Sequence, residues 1–422
     1  MGSNAPARVA RFRQEPCRAA CVSLSASHAF GSFNHTTPLI NKIILGAVLC
    51  WGLYSSVMAQ PRPAPKFAQR GLGRFIYQTL NDTSSVNSSR ILAFPTLGYA
   101  PETSLEVGVR VFSLYYAKND TTVNRLSELV LYGFVTLRGQ FGAQLENAVY
   151  SDRNIYYLLG RARYQQFPLL YYGIGPETSP DNPALVNSSY TQVRQRVMRR
   201  LIENWYAGVE VDFQTLQRVV FENANETGFE RPLGAGGSTT LELGGTLVFD
   251  NRRNVLNVRR GLFVETALLR NVLTASGFRF ERLLFDGRLY RTVGRPNQVL
   301  ALQAVGTFMN GAVPFNNLAL LGGEGIMRGY YLGRYRDKNL LAAQAEWRWL
   351  PFSFSKRWGG TVFGGLGTVA PTPGSLRLDQ FRWAVGGGLR FLFFQKKDVF
   401  LRGDVGFTRE GPGFYVGLGE AF

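Results

Sequence analysis

Residues 322–330 read Gly-Gly-Glu-Gly-Ile-Met-Arg-Gly-Tyr. They lie in a long connection between two amphipathic runs, 297–310 and 338–350, and place Arg328 beside Gly329 and Tyr330. A guanidinium left unpaired inside a folded chain is costly, so an arginine held at such a tip needs an anionic partner. The second run offers one. In 338–350, Gln344, Glu346 and Arg348 share one face of a period-two segment, and Ala345, Trp347 and Trp349 share the other. Glu346 on the polar face can accept a bidentate, charge-assisted pair, which makes it the candidate partner of Arg328; the blander reading is that Arg328 is solvated on an outer loop.

The same alternation continues outward in both directions. Strands are expected over 91–99, 103–117, 126–137, 140–150, 154–167, 190–202, 205–219, 237–250, 261–272, 278–293, 297–310, 338–350, 359–369, 382–394, 398–408 and 413–422. In 398–408, for example, Arg402 and Asp404 alternate with Leu401, Gly403, Val405 and Phe407. Polar on one face and apolar on the other, over many strands of even number, is the pattern of an antiparallel transmembrane β-barrel. With both termini on the periplasmic side, 311–337 becomes the sixth outer loop, and the turn that begins Asp250-Asn251-Arg252 and runs on to Gly261 falls on the periplasmic side.

Composition agrees. The chain is 45% hydrophobic, with 47 glycines, 31 phenylalanines and 19 tyrosines, yet no apolar run is long enough to cross a bilayer as a helix. The formal charge is +18. The first 59 residues hold five basic side chains against Glu15, so residues 60–422 carry 42 minus 28, or +14. Such an excess fits a nucleic-acid or anionic-surface binder, but no nucleic-acid motif accompanies it. In a barrel, the charge lines the lumen or meets acidic head groups.

All three cysteines (Cys17, Cys21, Cys50) and both histidines (His28, His35) lie before residue 60. Beyond that point thiol nucleophiles, disulfides, His-ligated zinc and a Ser-His-Asp arrangement are excluded. No enzyme activity, cofactor or metal is expected. Gly364-Gly365 and Gly386-Gly387-Gly388 lack the Lys-Ser/Thr that a phosphate loop requires. Arg194, Arg196, Arg199 and Arg200 suggest an anion-selective lining; the blander reading, wall residues balanced by Glu210 and Asp212, is favoured.

Lys42 followed by Ile43 through Met58, with Val57-Met58-Ala59 before Gln60, has the charged start, short apolar core and small-residue exit of a secretory signal peptide. The expected organisation is a leader over 1–41, whose Ser/Arg-rich composition also suits an organelle transit peptide or a misplaced start, a signal over 42–59, a short periplasmic segment over 60–90, and a barrel over 91–422. Pro61-Arg62-Pro63-Ala64-Pro65-Lys66 opens the periplasmic segment as an extended linker.

The Arg328-Gly329-Tyr330 tip, the turn from Asp250 and Arg252 to Gly261, the strand count and the terminal Phe422 together resemble the BamA/TamA superfamily of outer-membrane barrels, the bacterial surface antigen type, over roughly 90–422. The resemblance implies an all-β, sixteen-stranded antiparallel barrel whose sixth extracellular loop folds inward. It also implies that Gly322, Gly323 and Glu324 support the loop motif, that Glu346 receives Arg328, and that Phe422 belongs to a C-terminal recognition signal, with Phe414, Val416 and Leu418 on the same face. A second acidic position of the family is Gly365 here, leaving Asp404 or Glu324 as substitutes. The POTRA modules typical of the family do not fit within 60–90.

The implied function is a contribution to protein insertion, translocation or assembly at the outer membrane of a Gram-negative cell, an organelle outer membrane being the weaker alternative. The alternative function is a passive, anion-favouring pore partly plugged by its sixth loop. Expected partners are outer-membrane lipid and either client outer-membrane proteins or a periplasmic protein. Nucleic acid is not among them, and the barrel is expected to be a monomer.

Overall fold

A computed structural model describes residues 90–100, 104–222, 230–252, 257–274, 277–395 and 398–422. The expected leader over 1–41, the signal over 42–59 and the segment 60–89 lie outside the described residues. From Arg90 onward the chain forms β1 (Arg90–Ala100), β2 (Ser104–Tyr116), β3 (Leu126–Thr136), β4 (Phe141–Tyr150), β5 (Tyr156–Gln166), β6 (Leu169–Tyr171), β7 (Ala184–Ile202), β8 (Trp205–Glu222), β9 (Ser238–Asp250) and β10 (Gly261–Asn271). It continues through β11 (Phe280–Thr292), β12 (Gln298–Gly311), β13 (Ala319–Leu321), β14 (Tyr335–Asp337), β15 (Asn339–Trp349), β16 (Trp358–Ala370), β17 (Arg382–Phe394), β18 (Val399–Thr408) and β19 (Gly411–Leu418).

Setting aside the three-residue β6, β13 and β14, sixteen of these nineteen strands are long. Each long strand pairs antiparallel with the next, from β1–β2 through β5–β7 and β12–β15 to β18–β19. Among the described residues no pairing joins β19 to β1. No described helix is long and apolar enough to cross a membrane, which says nothing of crossing by strands.

The two faces of the sheet invert the arrangement of a water-soluble protein. On β8, Glu210, Asp212 and Gln214 are buried while the alternating Val209 is 62% exposed. On β11, Arg282, Asp286 and Arg288 are buried, whereas Leu283, Phe285 and Leu289 are exposed. Charges on the buried face are paired, as desolvated ions must be. Arg194 meets Glu210 at 2.5 Å, and Arg196 pairs with Glu210 and, at 2.8 Å, with Glu265.

Most boundaries shift by one to three residues, and three larger departures stand out. β7 begins at Ala184 rather than 190, because Ala184, Leu185 and Val186 pair with β6 on one side and Leu185 and Val186 with the end of β8 on the other. β19 stops at Leu418 rather than continuing to 422: Gly419 turns the chain at φ +79° and donates its N–H to the Phe400 carbonyl. The connection expected to be irregular over 311–337 contains a small hairpin, in which Ala319–Leu321 pairs with Tyr335–Asp337.

The longest connections gather at one end of the strands. Connections at the end holding the C-terminus span at most ten residues (251–260), while the opposite end carries 312–338, of 27. That long connection packs against the buried face. Phe315, Leu321, Ile326, Met327, Tyr330 and Tyr335 join Leu340 and Ala342 of β15, Val369 of β16 and Phe280 of β11 in one apolar cluster. Each such Leu, Phe or Met stabilises by about 1.5–3 kcal/mol when fully buried, enough to seat the connection but not to fix its register.

Candidate functional site

Register is set by a charge lattice beneath the cluster. Arg328 donates from Nη2 to Glu346 and from Nη1 to Asp404 Oδ2 at 2.6 Å. Its guanidinium carbon lies 3.6 Å from the centroid of the Phe363 ring, a stacked cation–π contact. Glu346 also accepts from Arg348 Nε at 2.7 Å. Asp404 also accepts from Arg390 at 2.5 Å and from Arg402 at 3.0 Å. Arg402 in turn pairs with Glu324, and Arg390 with Glu420 at 3.0 Å. Four arginines (328, 348, 390, 402) therefore alternate with four acids (324, 346, 404, 420), and their formal charges cancel. Both ends of the 322–330 turn are included, through Glu324 and Arg328.

Burial on its own would lower the Arg328 pKa, but Glu346 and Asp404 beside it outweigh that and hold it above its ordinary value. Arg328 is therefore a fixed cation at every physiological pH.

The backbone permits the contact. Gly329 has φ +115°, and a Cβ there would lie 2.5 Å from Thr408 Cγ2 and 3.2 Å from the Gly406 carbonyl. Gly406 faces it with a matching lack of side chain, since its own Cβ would fall 2.4 Å from the Arg328 oxygen. The tip thus lies backbone to backbone on β18. The Gly329 N–H donates to Tyr415 Oη at 2.9 Å, and that hydroxyl donates to the Tyr330 carbonyl at 3.3 Å. Gly322 and Gly323 form the opposite limb of the turn, where the Gly323 N–H donates to the Tyr330 carbonyl at 2.9 Å.

Gly365, where the resemblance led us to look for a second acid, borders the tip on β16. A Cβ at that position would sit 3.2 Å from Met327 Sδ, so the methionine of the loop occupies the room a carboxylate would need. The second carboxylate that meets Arg328 is Asp404 on β18. Sequence reasoning named Asp404 only as a substitute and did not connect Arg348, Arg390 and Glu420 to the motif. Inward parity marks Arg348 and Arg390, but Glu420 has the parity of the apolar Phe414 and Val416, and alternation does not say which of the three meet.

The remaining motif residues lie apart, at the short-turn end. Arg252 donates to Asp250 from its backbone N–H at 3.0 Å, from Nε at 2.9 Å and from Nη2 at 3.0 Å. Burial would lower the Arg252 pKa, but Asp250 more than offsets it and leaves it raised. Gly261 closes the turn at φ +143°, with a hypothetical Cβ 2.9 Å from Arg252 Cα. Phe422 is buried with Val258, Tyr290, Ala301 and Ala421, and its carbonyl accepts from Arg348 at 3.1 Å. The C-terminal segment is thereby joined to the Arg328 lattice twice, at Phe422 through Arg348 and at Glu420 through Arg390. Phe422 does not extend the β19 stripe of Phe414 and Val416, because the chain has already turned. Of the four arginines proposed as a lining, Arg194 and Arg196 are buried in ion pairs, while Arg199 and Arg200 are exposed. No group of three or more carboxylates able to hold a metal ion occurs among the described residues.

A second set of contacts holds the outer half of the connection. Arg334 meets Glu410, in the β18–β19 turn, at 2.7 Å and Thr178 at 2.8 Å, and lies over the rings of Tyr172 and Tyr335.

Comparison with known proteins bears on the family and the fold. A family model described as the Omp85 superfamily domain matches residues 110–393. Among solved structures, BamA from Haemophilus ducreyi lacking POTRA domains 1-3 is similar with a TM-score of 0.52 at 14% identity, covering 80% of this chain and 71% of that one. CdiB from Acinetobacter baumannii gives 0.48 at 10%, over 78% of this chain and 65% of the other, and CdiB from Escherichia coli 0.49 at 10%, over 77% and 61%. The chain thus spans less than two thirds of either CdiB. Identities this low bear on fold alone. No curated protein matches the chain in sequence.

Proposed function

We propose that this chain, which belongs to the Omp85 superfamily, closes its sixteen long strands into a transmembrane barrel of the outer membrane and contributes there to the insertion or translocation of other proteins. The exposed apolar face meets lipid, the buried charged face lines the lumen, and the 312–338 connection occupies that lumen. The end holding the C-terminus, where no connection exceeds ten residues, then faces the periplasm, and the end carrying 312–338 faces the exterior.

The observation that carries this reading is the seating of Arg328 against Glu346 and Asp404. A pore selected for free passage gains nothing from a neutral lattice tying a 27-residue connection to three strands. A barrel that changes state around a client needs a connection whose position is defined. The anion-pore alternative has less support, because Arg194 and Arg196 are neutralised by Glu210 and Glu265.

Depletion of the protein followed by quantitation of the outer-membrane proteome tests the role. Insertion or translocation predicts selective loss of a set of outer-membrane or exported proteins. An unchanged proteome with altered uptake of small anions would instead identify a pore.

A further inference from the structure

On the outward face, β10, β11, β12, β15 and β16 border a shallow, open apolar trough of about 670 Å³. Its floor is a row of small residues adjacent in register, Gly287 to Ala304 to Ala343. Phe285, Leu289 and Leu302 rise beside them among its lining. Small side chains on three neighbouring strands leave a depression wherever larger ones flank them, and an apolar depression on a lipid-facing surface is filled by hydrocarbon.

What lies beyond one end of the trough gives its occupant a charge. Leu262 and Leu289 are paired in register, as are Gly261 and Tyr290. The next position along this register sets Arg260 opposite Arg291, and the alignment persists there because Thr292 Oγ1 donates to the Arg259 carbonyl at 3.1 Å. Both arginines are exposed; Arg291 follows the outward parity of Leu289, and Arg260 immediately precedes β10. Arg291 stands four residues from Gly287, about 13 Å along the strand. Arg259 is already engaged by Asp398; no carboxylate among the described residues pairs with Arg260 or Arg291. Two like charges directly opposite each other on one face repel, and an anion between them converts the repulsion into attraction. Arg295 in the following turn is exposed as well, and the Arg291 row continues through Leu300 to Trp347, an aromatic of the kind found at head-group level.

We infer that the trough and the Arg260–Arg291 pair form one binding site for an anionic phospholipid, an acyl chain lying in the trough and the phosphodiester between the two guanidinium groups. Cations at the edge of an apolar face select phosphate, and the trough requires a chain attached to it. The site lies at the short-turn end, so the lipid belongs to the periplasmic leaflet. This inference rests on the membrane reading above but does not depend on what the barrel inserts.

The test uses the full chain folded into vesicles of equal phosphatidylglycerol and phosphatidylcholine. Protease protection and gel heat-modifiability are scored first, then the chain is extracted in detergent and retained lipid is counted by native mass spectrometry. The wild type should retain one phosphatidylglycerol in clear preference. The double variant Arg260→Gln/Arg291→Gln should lose that preference by about thirty-fold, the effect of two cations near a membrane surface. Ala304→Phe should lower retention of both lipids, while Arg218→Gln/Arg270→Gln should match the wild type. Glycerol phosphate, a head group without chains, should not displace the lipid. Equal retention by wild type and both site variants in a chain that has entered the vesicles overturns the site alone, as does displacement by glycerol phosphate. A wild-type chain that does not enter vesicles overturns the membrane reading and the site together.

Discussion

Arg328 Nη1 donates to Asp404 Oδ2 at 2.6 Å across a separation of 76 residues. The bond ties the tip of the longest connection to the next-to-last strand, and Glu346 on β15 takes the other side of the same guanidinium. Two carboxylates on non-adjacent strands fix both the position and the rotation of the loop, which neither could do alone.

The first prediction follows from how many partners each acid has. Asp404 accepts from three arginines and Glu346 from two, so Asp404→Asn should destabilise more than Glu346→Gln. Removing one partner from a buried ion network costs on the order of 3–5 kcal/mol. The temperature at which the folded form converts on a gel should fall in that order, with Arg328→Ala between them. Because Arg328 keeps one acid when the other is lost, the Arg328→Ala/Glu346→Gln cycle should show coupling of about 0.5–3 kcal/mol, with the double variant less affected than the sum of the singles.

Gly329 and Gly406 make a backbone-to-backbone contact that tolerates no side chain on either side. Gly329→Ala meets both the φ penalty and the Thr408 methyl, and should cost about 1–3 kcal/mol. Gly406→Ala should release the same segment without any φ penalty. Both variants should render 322–338 sensitive to external protease while the strands remain intact. Resistance equal to the wild type in both would mean that the tip does not rest on β18.

Arg334 joins the loop to Thr178 and Glu410, outside the Arg328 lattice. Arg334→Ala should therefore raise amide exchange in 172–178 and in β14 while leaving exchange near Arg328 unchanged. Exchange rising equally around Arg328 would show that the two anchors act as one unit.

Asp250 satisfies Arg252 through three hydrogen bonds in a buried turn. Asp250→Asn keeps the shape but removes the charge, and should lower stability on the order of 3–5 kcal/mol. Gly261→Ala should act at the same place, through contact with the Arg252 backbone. Limited proteolysis at 251–260 measures both. No change in cleavage there would mean the turn is held by its neighbours.

Much of this architecture was legible from alternation, because period-two patterning fixes faces as well as strands. Gln344, Glu346 and Arg348 lie on the buried face for the same reason they share parity. What alternation could not supply was long-range partnership. Nothing near Asp404 marks it as the acid opposite Arg328, since that pairing depends on how far the loop reaches. The start of β7 at Ala184 was missed because Asn187, Ser188 and Ser189 interrupt the apolar period, and pairing with β6 and β8 overrides it. The C-terminal residues misled in the opposite direction. They kept the alternation of a strand, but Gly419 turns the chain and sends Phe422 to a buried cluster beside Tyr290.

The central claim is that the 312–338 connection rests on the charged face of the assembled barrel, and a cysteine pair tests it most directly. The natural cysteines all lie at or before residue 50, so the remainder of the chain offers no competing thiol. Met327 Sδ lies 3.2 Å from where a Gly365 side chain would begin. The Met327→Cys/Gly365→Cys variant, oxidised or bridged with a short bifunctional maleimide in isolated outer membranes, should form an intramolecular cross-link that shifts its migration on a denaturing gel. Ala345→Cys/Gly364→Cys, neighbours in the β15–β16 register, controls for access and oxidation. Cross-linking of both pairs is the result expected; cross-linking of the control pair alone would contradict the account.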